Sequence, residues 1–137
     1  MNDLSHPTCV LDASALIALL YEEPGADRVQ SAISAGALLS AVNWAEVLAK
    51  LVVAGRDPHE VAAMALPDGG ATGLELVPFD DEQARQSARL IRKTRSLALS
   101  LADRVALALA QLRRLPVLTT DRAWRSLHLP IKIEVIR

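Results

Sequence analysis

The chain has 137 residues, 15 Lys+Arg against 16 Asp+Glu, and a hydrophobic content of 51%. This length predicts one domain with a substantial core, spanning residues 1–137, because single domains commonly contain about 100–150 residues. One cysteine and three histidines argue against a disulfide framework and a Cys/His zinc site. No apolar run is long enough to span a membrane and the first residues lack a secretory-signal pattern, so we expect no membrane association and a cytoplasmic location.

The apolar runs and turn residues predict strands that alternate with helices. In chain order they are strand 9–11, helices 14–21 and 26–35, strand 37–41, helices 43–54 and 59–66, a loop at 67–70, strand 74–77, helices 80–95 and 101–114, strand 116–119, a short helix at 123–127 and strand 131–136. Strands separated by helices need crossover connections. The sequence therefore predicts an α/β fold of three layers, with a central, mainly parallel sheet covered on both faces.

Charge is distributed unevenly along the chain. Residues 1–84 contain three basic and 13 acidic residues, whereas residues 85–137 contain 12 basic and three acidic ones. Five of the basic residues lie in one predicted helix: Arg85, Arg89, Arg92, Lys93 and Arg95. Spacings of four and three place the first three in one row, as candidate phosphate contacts for a nucleic acid. A solvated basic face and a carboxylate-rich partner are the alternatives.

Four carboxylates share one kind of position, at a strand-to-helix junction or in the first turn of a predicted helix: Asp12, Glu46, Asp103 and Asp121. The carboxyl ends of parallel strands meet at one edge of a sheet, where α/β proteins bind ligands. Asp12, Glu46 and Asp121 are therefore expected to collect at that edge. Asp103 joins them if its helix begins there as well.

Helix capping is the alternative explanation for each acid taken alone. Asn43-x-x-Glu46 and Ser100-x-x-Asp103 each resemble a capping box, and Asp121 fits an N-cap. Several partly buried carboxylates repel one another, however, and a divalent cation would neutralise them. Oxygen ligands favour Mg²⁺ or Mn²⁺ over zinc. The residues alone thus favour metal-dependent phosphodiester hydrolysis, with a small-molecule phosphatase as a rival.

Four segments taken in order carry a family resemblance: VLDASAL at 10–16, SAVNWAEV at 40–47, SLADRVALALA at 100–110 and LTTDRAW at 118–124. They resemble the PIN-domain family, most closely the VapC-type toxins of bacterial toxin–antitoxin pairs. The resemblance covers nearly the whole chain. The segment before the first aspartate is longer than in many members, but all four acids are in place.

The resemblance implies a site as well as a family. Asp12, Glu46, Asp103 and Asp121 would bind Mg²⁺ or Mn²⁺ and activate the attacking water. Ser14 would support the first aspartate, and Thr119 and Thr120 would contact metal or water. The implied activity is that of an endoribonuclease with RNA as substrate, a VapB-type antitoxin as partner and a homodimeric state. The alternative from another class is a catalytically idle PIN-like module that binds a partner protein or RNA.

The remaining candidates favour structural roles. Cys9 is predicted to be buried in a strand, and Trp44 and Trp124 are predicted to pack rather than to stack on bases. His6, His59 and His128 are predicted to be structural or solvated. The helices within 14–66 contain more apolar residues than one sheet face needs, which indicates either extra core or a groove for an antitoxin helix or a dimer surface.

Overall fold

The computed structural model describes residues 6–66 and 73–137. It contains five strands, namely β1 (Cys9–Leu11), β2 (Ala37–Ser40), β3 (Leu74–Val77), β4 (Val117–Thr119) and β5 (Ile133–Val135). The helices are α1 (Ala13–Leu20), α2 (Ala26–Ala35), α3 (Ala41–Val53), α4 (Pro58–Ala65), α5 (Asp81–Lys93) and α6 (Leu101–Arg113), with short 3₁₀ helices at Arg95–Leu97 and Arg122–Ser126. The loop predicted at 67–70 lies outside the described residues.

The strands form one sheet in the order β3-β2-β1-β4-β5. Every neighbouring pair is parallel, as expected when each connection returns along the sheet through helices. Because β1 is central and lies between β2 and β4, the carboxyl ends of these three strands are adjacent. The predicted α/β fold with a parallel sheet is confirmed.

Alternating side chains of β1 divide the core into two layers. Cys9 and Leu11 pack against α1 to α4, whereas Val10 faces α5, α6 and Trp124. Helices thus cover both faces, which removes the apolar side chains of the sheet from water. Cys9 and Trp124 are both 1% exposed, so the predictions that they pack in the core are confirmed. Trp44 is half-buried against the first layer.

One helix boundary changes the interpretation of the sequence. α3 begins at Ala41, two residues before the predicted start, because Ser40 is its N-cap and accepts a hydrogen bond from the Val42 N–H at 3.2 Å. The capping box predicted for Asn43 and Glu46 is therefore wrong, and Glu46 lies in the second turn. The other boundaries agree with the prediction to within two residues. Within the described ranges no helix is long and apolar enough to cross a membrane.

Candidate functional site

Asp12 follows the central strand β1 and is only 4% exposed. Its Oδ1 accepts hydrogen bonds from the Ser14 hydroxyl at 2.7 Å and from the Ala15 N–H at 2.8 Å. Its Oδ2 accepts one from the Thr119 hydroxyl at 2.6 Å. Because each carboxylate oxygen can accept about two partners, Oδ2 retains room for one more donor or for a cation.

The environment of Asp12 favours its protonated form. Removal from water is the main cause that raises its pKa from 3.8 to about 6, because a low-dielectric environment disfavours the charged form. The hydrogen bonds from Thr119, Ser14 and Ala15 oppose this rise, and the charge of Asp103 adds to it. Asp12 and Asp103 therefore lie within electrostatic reach of each other.

The hydroxyls that hold Asp12 also join β4 to α1. The Ser14 hydroxyl oxygen accepts a hydrogen bond from the Thr120 N–H at 3.0 Å, and that of Thr119 accepts one from the Asp121 N–H at 3.1 Å. The structure thus places Ser14 and Thr119 directly on Asp12. Thr120 takes part through its backbone amide.

Asp103 lies in the first turn of α6 and forms a capping box with Ser100. Its Oδ2 accepts a hydrogen bond from the Ser100 N–H at 3.1 Å, and its own N–H donates to the Ser100 hydroxyl at 3.2 Å. The predicted capping box is confirmed here. Since only one of its carboxylate oxygens takes part, capping leaves Oδ1 of Asp103 available for another partner.

Glu46 and Asp121 are held more loosely. Glu46 is half-buried on α3, and its carboxylate accepts no hydrogen bond from a described residue. Asp121 is exposed and caps the 3₁₀ helix that follows it, accepting from the Ala123 N–H at 3.0 Å. Within 6–66 and 73–137, no three His, Cys, Asp or Glu side chains lie together as ligands for one ion. Binding of a metal by all four acids therefore stays a prediction.

The donor chemistry nevertheless fits a hard divalent cation. Asp12 Oδ2 and Asp103 Oδ1 are both oxygens with remaining acceptor capacity, and oxygen is the ligand that Mg²⁺ and Mn²⁺ prefer. Asp12 and Asp103 are the residues that would hold such an ion, with Glu46 and Asp121 contributed by neighbouring elements.

The structure separates the five predicted phosphate contacts into two groups. Arg85 forms a salt bridge with Asp81 at 2.9 Å, and Arg89 donates to a glutamine one turn earlier at 3.3 Å. The other three are exposed and make no ion pair with a described residue: Arg92, Lys93 and Arg95. Because only residues 94–100 connect α5 to α6, these three lie at the same end of the helix pair as Asp103.

Two residues that the sequence interpretation missed stabilise the site. Asn43, 1% exposed, donates from Nδ2 to the carbonyl of Ala102 at 2.9 Å. Arg104 donates to the carbonyls of Leu99 at 2.9 Å and Ser87 at 3.3 Å, which ties α6 to α5. The available signal for Asn43 was a polar residue on the apolar stripe of a helix, four positions before a buried valine.

Two of the surface cavities lie on the α1–α2 side of the molecule, away from the four candidate carboxylates. One of about 570 Å³ is at the turn between α1 and α2. The other, of about 360 Å³, is a groove between α1, α2 and α4 with apolar residues in its lining: Leu16, Leu19, Leu20, Ile33 and Met64. Neither cavity is lined by the four carboxylates, so geometry and charge, rather than concavity, indicate the candidate site.

Comparison with known proteins gives one family and one fold. The model of the PIN-domain family matches residues 9–128, and the comparison with curated proteins gives no match. A toxin–antitoxin complex from Klebsiella pneumoniae is similar at 22% identity, with 92% of this chain and 100% of that chain covered and a TM-score of 0.68.

Two structures from Mycobacterium tuberculosis are also similar. VapBC-5, of the VapBC family of toxin–antitoxin systems, shares 27% identity over 96% of this chain and 99% of that one, with a TM-score of 0.63. VapC20, described as a toxin that cleaves the sarcin–ricin loop, shares 14% identity over 91% and 99%, with a TM-score of 0.68.

Proposed function

The chain belongs to the PIN-domain family, and on that premise we propose that it is a VapC-type toxin that hydrolyses RNA phosphodiester bonds as a metal-dependent endoribonuclease. The observation that carries the proposal is the buried carboxylate of Asp12, which is fixed at the end of the central strand and electrostatically coupled to Asp103. A buried carboxylate with a second acid within electrostatic reach is costly to ionise without a counter-charge. A nuclease that binds a divalent cation supplies one.

Each acid has a distinct role in this proposal. When bound, Mg²⁺ or Mn²⁺ polarises a phosphoryl oxygen and lowers the pKa of a bound water. Asp12 orients the site, because Ser14 and Thr119 leave its carboxylate little freedom to rotate. Asp103 contributes the carboxylate oxygen that its cap does not use. Glu46, whose carboxylate accepts no hydrogen bond from a described residue, contributes a carboxylate that can turn toward the bound ion.

Substrate binding is assigned to the basic group next to Asp103. Arg92, Lys93 and Arg95 have no carboxylate partner among the described residues, so their charges are available for backbone phosphates. Arg85, which is paired with Asp81, is a weaker candidate.

The proposed partner is a VapB-type antitoxin, and we also propose a homodimer in the cytoplasm. The similar structures named above include toxin–antitoxin complexes. The 360 Å³ groove between α1, α2 and α4 is lined by apolar side chains together with Glu22 and Gln30, which suits an amphipathic helix of a partner protein.

Cleavage of RNA by the antitoxin-free protein in Mg²⁺ or Mn²⁺ tests this function. We expect Asp12→Asn and Asp103→Asn each to lower kcat by at least about 100-fold, and EDTA to abolish cleavage. Asp57→Asn is the matched control, because Asp57 is an aspartate cap at the start of α4, away from the site. Cleavage by folded Asp12→Asn at the wild-type rate would contradict the proposal.

The idle binding module is retained as a second candidate. It is favoured by one observation, that no three acidic side chains in the described residues lie together as ligands for one ion. Its signature is a folded wild-type protein that retains RNA or a protein partner but binds no Mn²⁺ and cleaves no RNA.

A further inference from the structure

Of the two polar atoms in the Asn43 side chain, only the nitrogen has a hydrogen-bond partner among the described residues. The residue is 1% exposed, and its Nδ2 donates to the Ala102 carbonyl at 2.9 Å. Its Oδ1 is buried and accepts no hydrogen bond from a described residue. An unpaired buried acceptor destabilises the folded state, and such a group in a protein calls for an explanation.

Local structure does not provide that explanation. Ser40 already caps α3, so the helix does not need Asn43 at its N-terminus. An aliphatic side chain at this position would fill the same space without an unpaired oxygen. The hydrogen bond to the Ala102 carbonyl accounts for the nitrogen of the amide but not for its oxygen, so the amide indicates a partner for Oδ1 from outside the chain.

The position of the amide identifies that partner. Asn43 precedes Glu46 by three residues, so both lie on one face of α3. Its Nδ2 contacts the carbonyl of the residue just before Asp103. Within an amide the nitrogen and oxygen are less than about 2.6 Å apart, so Oδ1 also lies beside the first turn of α6. The unpaired oxygen thus lies between the elements that carry two of the candidate metal ligands.

Resting on the proposed function, we infer that Asn43 is a positioning residue of the metal site, whose Oδ1 accepts a hydrogen bond from the hydration shell of the bound cation. Mg²⁺ and Mn²⁺ commonly retain several waters in proteins, and those waters need acceptors. The hydrogen bond from Nδ2 to Ala102 sets the direction of the oxygen. A neutral acceptor suits a position where a further carboxylate would add repulsion to Asp12 and Asp103.

Calorimetric titration of the full-length protein with Mn²⁺ tests the inference without using activity. Asn43→Ala removes the oxygen, and we expect binding about tenfold weaker in a protein whose circular dichroism is unchanged. Asn43→Leu fills the same space without the oxygen, and we expect it to lose the same affinity as Asn43→Ala. Gln83→Ala is the matched control, since Gln83 is also a buried amide with an unpaired oxygen but lies at the far end of α5; its affinity should be unchanged.

The other outcomes contradict either the role of Asn43 or the proposed nuclease function. Affinity of Asn43→Ala within twofold of the wild type removes Asn43 from the site and leaves the proposed nuclease intact. A folded Asn43→Leu variant that binds Mn²⁺ as tightly as the wild type shows that the oxygen is not what binds, and it decides the question even if the alanine variant does not fold. Absence of Mn²⁺ binding by the folded wild type overturns both this inference and the proposed function.

Discussion

The two sides of the acidic site differ in how firmly the fold holds them. Asp12 is buried, and three donors on α1 and β4 fix both of its oxygens. Glu46 is half-buried without a described partner, and Asp121 is exposed with one backbone donor. The difference indicates that the fold presets one carboxylate, while the others can adjust to a ligand. Four experiments test that contrast.

The largest expected effect is the change of the unfolding free energy with pH. The pKa of Asp12 is about 6 in the folded protein, above its ordinary value of 3.8, so the folded state binds more protons between these pH values. Stability from this group is complete below about pH 4 and is lost as the pH rises through about 6. In EDTA, we expect the unfolding free energy of the wild type, relative to Asp12→Asn, to fall by roughly 3 kcal/mol from pH 3 to pH 7.

Chemical denaturation at several pH values measures this change. A difference between wild type and Asp12→Asn that stays constant over the range would show that Asp12 is not buried as described.

Metal binding should act on both sides of the site. At a hundredfold excess over its Kd, Mn²⁺ is expected to stabilise the wild type by about 2.7 kcal/mol, or roughly 10 °C in Tm, because it binds the folded state alone. EDTA should reverse the shift, and Asp103→Asn should reduce it. A thermal melt that is identical with Mn²⁺ and with EDTA would count against a metal site.

Removal of one donor tests how firmly Asp12 is held. Thr119→Val deletes the hydroxyl 2.6 Å from Oδ2, and we expect a loss of about 2 kcal/mol at pH 7, since hydrogen bonds to charged groups are worth about 1.5–3 kcal/mol. Thr120→Val is the control, because only the backbone of Thr120 takes part, and urea unfolding should show little change. Equal losses for the two variants would refute the assignment.

The smallest effect concerns the basic residues. Arg92→Ala should weaken RNA binding a few-fold and reduce its salt dependence by about one unit of slope. Arg85→Ala should change it less, because Arg85 is paired with Asp81 and lies about 10 Å farther along α5. Filter binding of both variants to the same RNA at several salt concentrations compares them. A larger effect of Arg85→Ala would contradict the assignment of Arg92 as the stronger phosphate contact.

The order of elements and the parallel sheet could be predicted because apolar period and turn residues are local properties of the chain. The same logic located Asp12 and Asp121 at strand ends. The capping box at Asp103 was also visible as a short motif. The clustering of all four acids around one ion is still a prediction, since Asp103 is the one described carboxylate whose charge acts on the pKa of Asp12.

Contacts between distant parts of the chain could not be predicted. Thr119 reaches Asp12 across 107 positions and Asn43 reaches Ala102 across 59, and no local pattern specifies either pair. The predicted start of α3 was wrong for a related reason. Ser40 ends a buried strand and caps a helix at once, so strand pattern and cap signal overlap on one residue.

Asp12, Asp103 and Asp121 each lie at the start of a helix as an N-cap or capping-box residue, so the same carboxylates serve the backbone and the candidate chemistry. Asparagine caps helices about as well as aspartate, whereas alanine does not. Among descendants of this sequence, a copy that has lost its charge but still folds should therefore retain asparagine at these positions. Copies with alanine there should be scarce, because they lose folding stability along with activity.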